Sequence, residues 1–230
     1  MTVLAVITAR GGSKRIPRKN IRPFMGRPMI SYAIDAALKC QQFTEVIVST
    51  EDREIADIAR QYGASVPFMR SEHTATDVAT TADVLREVHE EYVKLGKTFD
   101  VIACIYPCVP FLTHGILAKA FVAFETSQAN ALMPVSRFSC PIQRALKKNA
   151  DGFIEYREPE NALRRTQDLE PMYHDTGMFY FVKTESFLRY GNIIVPGTMA
   201  FEMKENAIQD IDTMEDWKLA ELKYRFLHNV

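Results

Sequence analysis

The sequence contains no run of about 18 apolar residues, which excludes a membrane-spanning helix. Cysteine is scarce. Cys40, Cys104, Cys108 and Cys140 form no C-x-x-C pair and have no histidines at zinc spacing, so neither a disulfide framework nor a structural zinc is expected. The thiols read as reduced and the chain as cytoplasmic. The opening MTVLAVITA is apolar but lacks a basic n-region and runs straight into Arg10, which suits a buried first strand rather than a signal peptide. The two common phosphate-loop fingerprints, G-x-x-x-x-G-K-[ST] and G-x-G-x-x-G, are both missing. No acid precedes Asp35, while seven bases stand between Arg10 and Arg27. One local site is therefore strongly cationic, although 28 Lys+Arg against 29 Asp+Glu leave the whole near neutrality and argue against a dedicated nucleic-acid binder.

What is present describes an ordinary globular protein: 230 residues, 47% hydrophobic and 25% charged. At this length one α/β domain buries roughly 70% of the surface of its unfolded chain. Residues 3–8 form a β-branched apolar run that reads as a strand, followed at once by a basic, Gly-containing loop. Helical spacing is expected over 28–38, 51–62, 77–95, 113–126 and 213–227, and strands over 45–50, 64–68, 101–106, 131–135, 177–182 and 207–211. Strands alternating with helices of about 10 to 15 residues indicate βαβ units and a largely parallel sheet. Residues from about 136 to 176 are polar, with scattered Pro, Gly and Arg, and read as an irregular insertion over the sheet. The economical reading is a single domain over 1–230.

Two segments carry chemistry. The first is ARGGSKRIPRKN at 9–20, directly after the first strand. Open α/β sheets bind ligands at the carboxyl ends of their strands, where N–H groups and cationic side chains converge on phosphate. The competing reading is a solvated basic loop or an RNA patch. The second is Asp210-Ile-Asp212 at the end of an expected strand, where residues two apart face one side at roughly 6.5 to 7 Å and can share a hard cation such as Mg2+. Here the competing reading makes Asp212 or Thr213 the cap of the next helix, with Thr213 and Asp216 at capping-box spacing. A cationic phosphate loop and an acidic pair make sense together if the ligand is a metal-bound nucleotide.

The segments ITARGGSKRIPRKNIRPFMGRPMI, VSTED, HTATDVATT and DIDTMEDW resemble, over nearly the full length, the CMP-sialic acid synthetase family of cytidylyltransferases. The resemblance implies a Rossmann-like nucleotidyltransferase fold of the glycosyltransferase-A kind, a mostly parallel sheet flanked by helices, usually in a homodimer. It implies transfer of CMP from CTP to a nine-carbon 2-keto sugar acid, with Mg2+ as cofactor and no nucleic-acid or membrane partner. Carried over by motif, Arg10, Lys14 and Lys19 neutralise the triphosphate, Arg15 and Arg18 point outward, and Ala9, Arg10, Gly11, Asn20, Arg70, Ala79 and Thr81 hold the nucleotide. Asp210 and Asp212 match the magnesium carboxylates. The turn at 106–110 departs from the Q-P-T-S-P of sialate-activating members and reads YPCVP. RRTQDLEPMYHDTGMFYF at 164–181 looks like the subgroup that activates pseudaminic acid, which would give Tyr106, Arg165, Tyr173, His174 and Asp175 to the sugar. Within the class the alternatives are legionaminic and N-acetylneuraminic acid. Outside it stands a non-catalytic nucleotide- or RNA-binding protein, which needs no acidic pair and releases no pyrophosphate.

Overall fold

The computed structural model describes residues 1–229, so Val230, the last residue of the expected domain, lies outside the described residues. In chain order the elements are β1 (Val3–Thr8), β2 (Pro23–Phe24), β3 (Arg27–Pro28), α1 (Ile30–Cys40), β4 (Glu45–Ser49), α2 (Arg53–Gln61), α3 (Thr81–Lys94), β5 (Val101–Ile105), α4 (His114–Thr126) and β6 (Ala131–Arg137). Then come β7 (Leu146–Lys148), β8 (Ile154–Tyr156), β9 (Tyr173–Asp175), β10 (Phe179–Lys183), α5 (Thr184–Tyr190), β11 (Thr198–Glu202) and α6 (Met214–His228).

The main sheet runs β11-β6-β10-β5-β1-β4, with β9 also paired to β6. β1, β4 and β5 are parallel neighbours, and β6 is parallel to β11. β10 runs antiparallel between β5 and β6, and β9 antiparallel beside the far half of β6. Central β1 is buried on both faces, as a strand in a covered parallel sheet must be. Val3, Ala5 and Ile7 pack with Ala33 of α1 and Phe121 of α4, while Leu4 and Val6 pack with Leu85 and Tyr92 of α3. A third cluster joins Ile16 of the basic loop to Phe24, Tyr32 and Trp217, which seats α6 beneath that loop. The second parallel strand, β4, lies on one side of β1 and the third, β5, on the other. The loops after β1 and β5 therefore diverge at a switch point, the place where such sheets take ligands.

Several sequence expectations are corrected. Residues 64–68 are not a strand: Ser65 makes a single bridge to Ile47, and Pro67 has no N–H to continue a ladder. Residues 207–211 are not a strand either, because β11 takes the place beside β6 and side-chain ammoniums take the segment's carbonyls. Lys19 Nζ donates to Ile211 O at 2.8 Å, and Lys223 Nζ donates to Ile208 O. α3 begins at Thr81, not at Asp77. There Thr80 and Asp83 exchange side-chain-to-backbone hydrogen bonds in a capping box, which leaves 77–80 in a loop. Unforeseen elements are α5, β11 and the β2–β3 hairpin, while the short strands β7, β8 and β9 fall within the expected excursion.

Candidate active site

The carboxyl ends of β1, β5 and β6 open onto a cleft of about 1180 Å³, closed on its far side by residues 205–212. The basic loop forms its floor. Ser13 N–H donates to Gly11 O at 3.0 Å, tightening the turn after β1. Ile16 drops into the core and holds the loop down. Asn20 is buried, its Nδ2 donating to Arg10 O (2.8 Å) and its Oδ1 accepting from Cys108 Sγ (3.2 Å), so both ends of the amide fasten the loop. Burial pushes the Cys108 thiol up to about 12, so it stays protonated and is no nucleophile at neutral pH.

Each phosphate-loop cation already faces a carboxylate. Arg10 Nη1 lies 2.6 Å from Asp77 Oδ1, and Lys14 pairs with the same carboxylate. Those two partners hold the Asp77 carboxyl below its usual range. Arg15 lies 2.8 Å and Lys19 3.5 Å from Asp212. Arg15 thus corrects the expectation that it points outward, since it lines the cleft. Arg18 does leave the cleft, held by Asp52 and Glu54 with its backbone in the left-handed region at φ 56°.

Asp210 and Asp212 both lie on the wall, delivered by an irregular segment rather than by a strand face. Capping falls to Thr213, whose side chain accepts from Asp216 N–H while the Asp216 carboxylate accepts from Thr213 N–H at 2.7 Å. The cap and the acidic pair therefore coexist on neighbouring residues. Among the described residues no group of three or more His, Cys, Asp or Glu is placed to hold a metal by itself.

At the next station along the cleft Arg70 is buried, donating through Nε to Ser49 Oγ (3.1 Å) and through Nη2 to Ser49 O. Ala79 and Thr81 line this end, and Thr81 Oγ1 lies 3.0 Å from Tyr106 OH. His174 and Asp175 also face into the cleft. His174 Nδ1 lies 2.9 Å from Asp175 O, and a carbonyl only accepts, so Nδ1 carries a proton. Asp175 takes Tyr180 OH at 2.6 Å and Gly177 N–H at 2.8 Å. Tyr106 and Tyr180 meet edge to face at 5.6 Å, and burial raises both phenols above their usual range.

Four residues expected at the site are not on its wall. Ala9 is fully buried with its N–H on Ser49 O, and Gly11 N–H is turned to Glu51 Oε1 at 2.7 Å. Arg165 is spent on Asp168, at 2.8 and 3.1 Å, within the excursion between β6 and β9. Tyr173 lies at the outer end of β9 opposite Arg137. Conversely, sequence reasoning missed Asp77, Arg15 and Lys223. The signal for Asp77 was the Thr80-x-x-Asp83 box, which starts the helix late and frees the residues before it. Nothing local marks Lys223, whose amine burial draws below the usual lysine range.

Known proteins share this arrangement of sheet and cleft. A CMP:2-keto-3-deoxy-manno-octonic acid synthetase solved with CTP superposes with a TM-score of 0.72 over all of both chains, at 16% identity. The 4-diphosphocytidyl-2C-methyl-D-erythritol synthase of Anaerococcus prevotii gives 0.65 over 97% of this chain and 98% of its own, at 14% identity. At such identities they show the fold alone: a Rossmann-like, mostly parallel sheet flanked by helices. A family model described as cytidylyltransferase matches residues 4–221, and the chain belongs to that family. Among relatives, the pseudaminic acid cytidylyltransferase of Campylobacter jejuni is 37% identical over 228 residues, 99% of this chain and 98% of its own. The CMP-N,N'-diacetyllegionaminic acid synthase of Legionella pneumophila is 32% identical over 96% and 95%. The family read from the loop at 9–20 and its companion motifs is thereby borne out.

Proposed function

We propose that the chain transfers CMP from CTP to a nine-carbon 2-keto sugar acid of the pseudaminic kind and releases pyrophosphate. The observation that carries the reading is one cleft lined by Arg70 and Thr81, the cations Arg10, Lys14 and Lys19, the Asp210–Asp212 pair, and the polar side chains of His174 and Asp175. The sugar's anomeric oxygen forms a bond to the α-phosphorus, the bond to the β-phosphate oxygen breaks, and the hydroxyl proton leaves to solvent. Arg10 and Lys14 release Asp77 and take up the charge growing on the phosphate oxygens. Arg70 and Thr81 orient the cytidine so that the attack is in line.

Two carboxylates alone suit Mg2+, which keeps waters and takes the rest of its shell from substrate phosphates, so the donor set fits. When bound by Asp210 and Asp212 the ion would withdraw charge from the phosphate oxygens. Arg15 and Lys19 then stand as the counter-charges beside Asp212.

The same proposal takes the protein to be a cytoplasmic homodimer supplying an activated sugar for surface or flagellar glycosylation. Absence of any helix able to cross a membrane among the described residues agrees with a soluble enzyme. Exposed Leu146, Phe153 and Ile154 on the β7–β8 hairpin offer apolar side chains to a second copy. The test is pyrophosphate release with each of the four NTPs crossed against pseudaminic, legionaminic and N-acetylneuraminic acids. The reading expects turnover with CTP and pseudaminic acid above all other pairs, and comparable rates with ATP or GTP would overturn it.

A further inference from the structure

The VSTED segment has no place in the chemistry so far, yet its last residues grip both halves of the nucleotide site from behind. Glu51 is not on the cleft wall. Its Oε1 accepts from Gly11 N–H at 2.7 Å, at the turn from which Arg10 projects. Its Oε2 is shut off from solvent, has no hydrogen-bond partner among the described residues, and lies 4.0 Å from Arg70 Nη1. Arg70 is itself tied to this strand end, its N–H donating to Thr50 O at 2.9 Å and its guanidinium to Ser49.

A guanidinium only 4% exposed needs a nearby counter-charge, and a buried carboxylate oxygen without a donor is tolerated where a cation faces it. Burial draws Arg70 below the usual arginine range, and Glu51 is the foremost of the charges opposing that. Asp52 completes the clasp: it caps α2 through Ile55 N–H (3.0 Å), binds Arg18, and fills the space where a side chain at Gly11 would project. Gly11 is thus the residue the clasp permits.

We propose that Glu51 is a positioning residue that couples the phosphate loop to the base pocket, holding Gly11 with one carboxylate oxygen and the Arg70 guanidinium with the charge of the other. Glu51 touches neither substrate. The inference rests on the cleft being the CTP site.

The two oxygens can be separated by substitution. Glu51→Gln keeps an acceptor for Gly11 N–H but sets a neutral amide against Arg70, whereas Glu51→Ala removes both. Pyrophosphate affinity, read by calorimetry, reports the loop; the inhibition constant of cytidine against CTP reports the base pocket. Glu51→Ala should weaken both probes about tenfold and lower kcat/KM for CTP on the order of 10²-fold, the usual scale for a displaced catalytic group. Its KM for the sugar acid should stay within about twofold. Glu51→Gln should bind pyrophosphate within about twofold of wild type while cytidine stays about tenfold weaker. If Glu51→Ala folds, as circular dichroism would show, and binds both probes like wild type, the inference fails. If Glu51→Ala does not fold, Glu51→Gln decides: both probes unchanged, or both weakened alike, overturn the coupling. A wild-type protein that binds no CTP would bring down the reading of the cleft and this inference together, whereas wild-type binding with unaffected variants would bring down the inference alone.

Discussion

Single side chains at the floor of the cleft meet an anion before any ligand arrives. The Arg10–Asp77 pair is nearly half exposed on both sides, so it adds little to stability. Arg10→Ala should therefore melt within a few degrees of wild type while losing about 10² to 10³ in kcat/KM for CTP, measured by pyrophosphate release. On the proposed reading Asp77 competes with phosphate for the same cations. An exposed pair of this kind is weak, so Asp77→Asn should tighten pyrophosphate by no more than about fivefold in a calorimetric titration. Weaker binding would instead make Asp77 part of the site. A cationic loop was legible because seven bases crowd a stretch without a single acid, and the family resemblance singled out Arg10, Lys14 and Lys19 within it. Asp77 and Lys223 were not, since their place depends on where a helix starts and on what a distant helix buries.

Among the elements, the entry to α6 separates stability from chemistry. Asp216 accepts from Asp212 N–H (3.1 Å), Thr213 N–H (2.7 Å) and Thr213 Oγ1 (2.8 Å), and Thr213's hydroxyl, first among these, holds its carboxyl below the usual range. Losing the cap in Thr213→Ala should cost about 1 kcal/mol, a drop of about 2 to 4 °C in Tm. Asp212→Asn leaves that cap intact, so its melt should be unchanged while pyrophosphate release collapses at low magnesium; near-wild-type rates there would remove Asp212 from the metal site. A carboxyl with a depressed folded pKa stabilises above its unfolded value, about 3.9, and loses that contribution as pH falls through the folded one. Asp216→Asn should accordingly flatten part of the fall in Tm between pH 5 and pH 3, as scanning calorimetry would record. The capping-box spacing was visible in the sequence, whereas β11 was not: TMAFE is a half-buried edge strand whose pairing with β6 is decided by the sheet.

At the scale of the whole molecule the parallel core was readable because buried central strands must be apolar throughout, as VLAVIT and VIACI are. The antiparallel return of β10 between β5 and β6 was not, because residue pattern carries no direction. The exposed hairpin gives the dimer its test. Light scattering on a Phe153→Asp, Ile154→Asp double variant should show the mass fall from twice 26.2 kDa to 26.2 kDa, and an unchanged dimer would exclude this face. Lys19, on the basic loop, reaches Ile211, 192 positions later. Protein synthesis adds roughly 5 to 20 residues per second, so these partners leave the ribosome roughly 10 to 40 s apart. The sheet has most of its strands long before residues 205–212 emerge to give the cleft its far wall. Ligand binding in the cell would thus mark chains that have been made past Asp212, and products terminated before it would fail the mark even where their cores had formed.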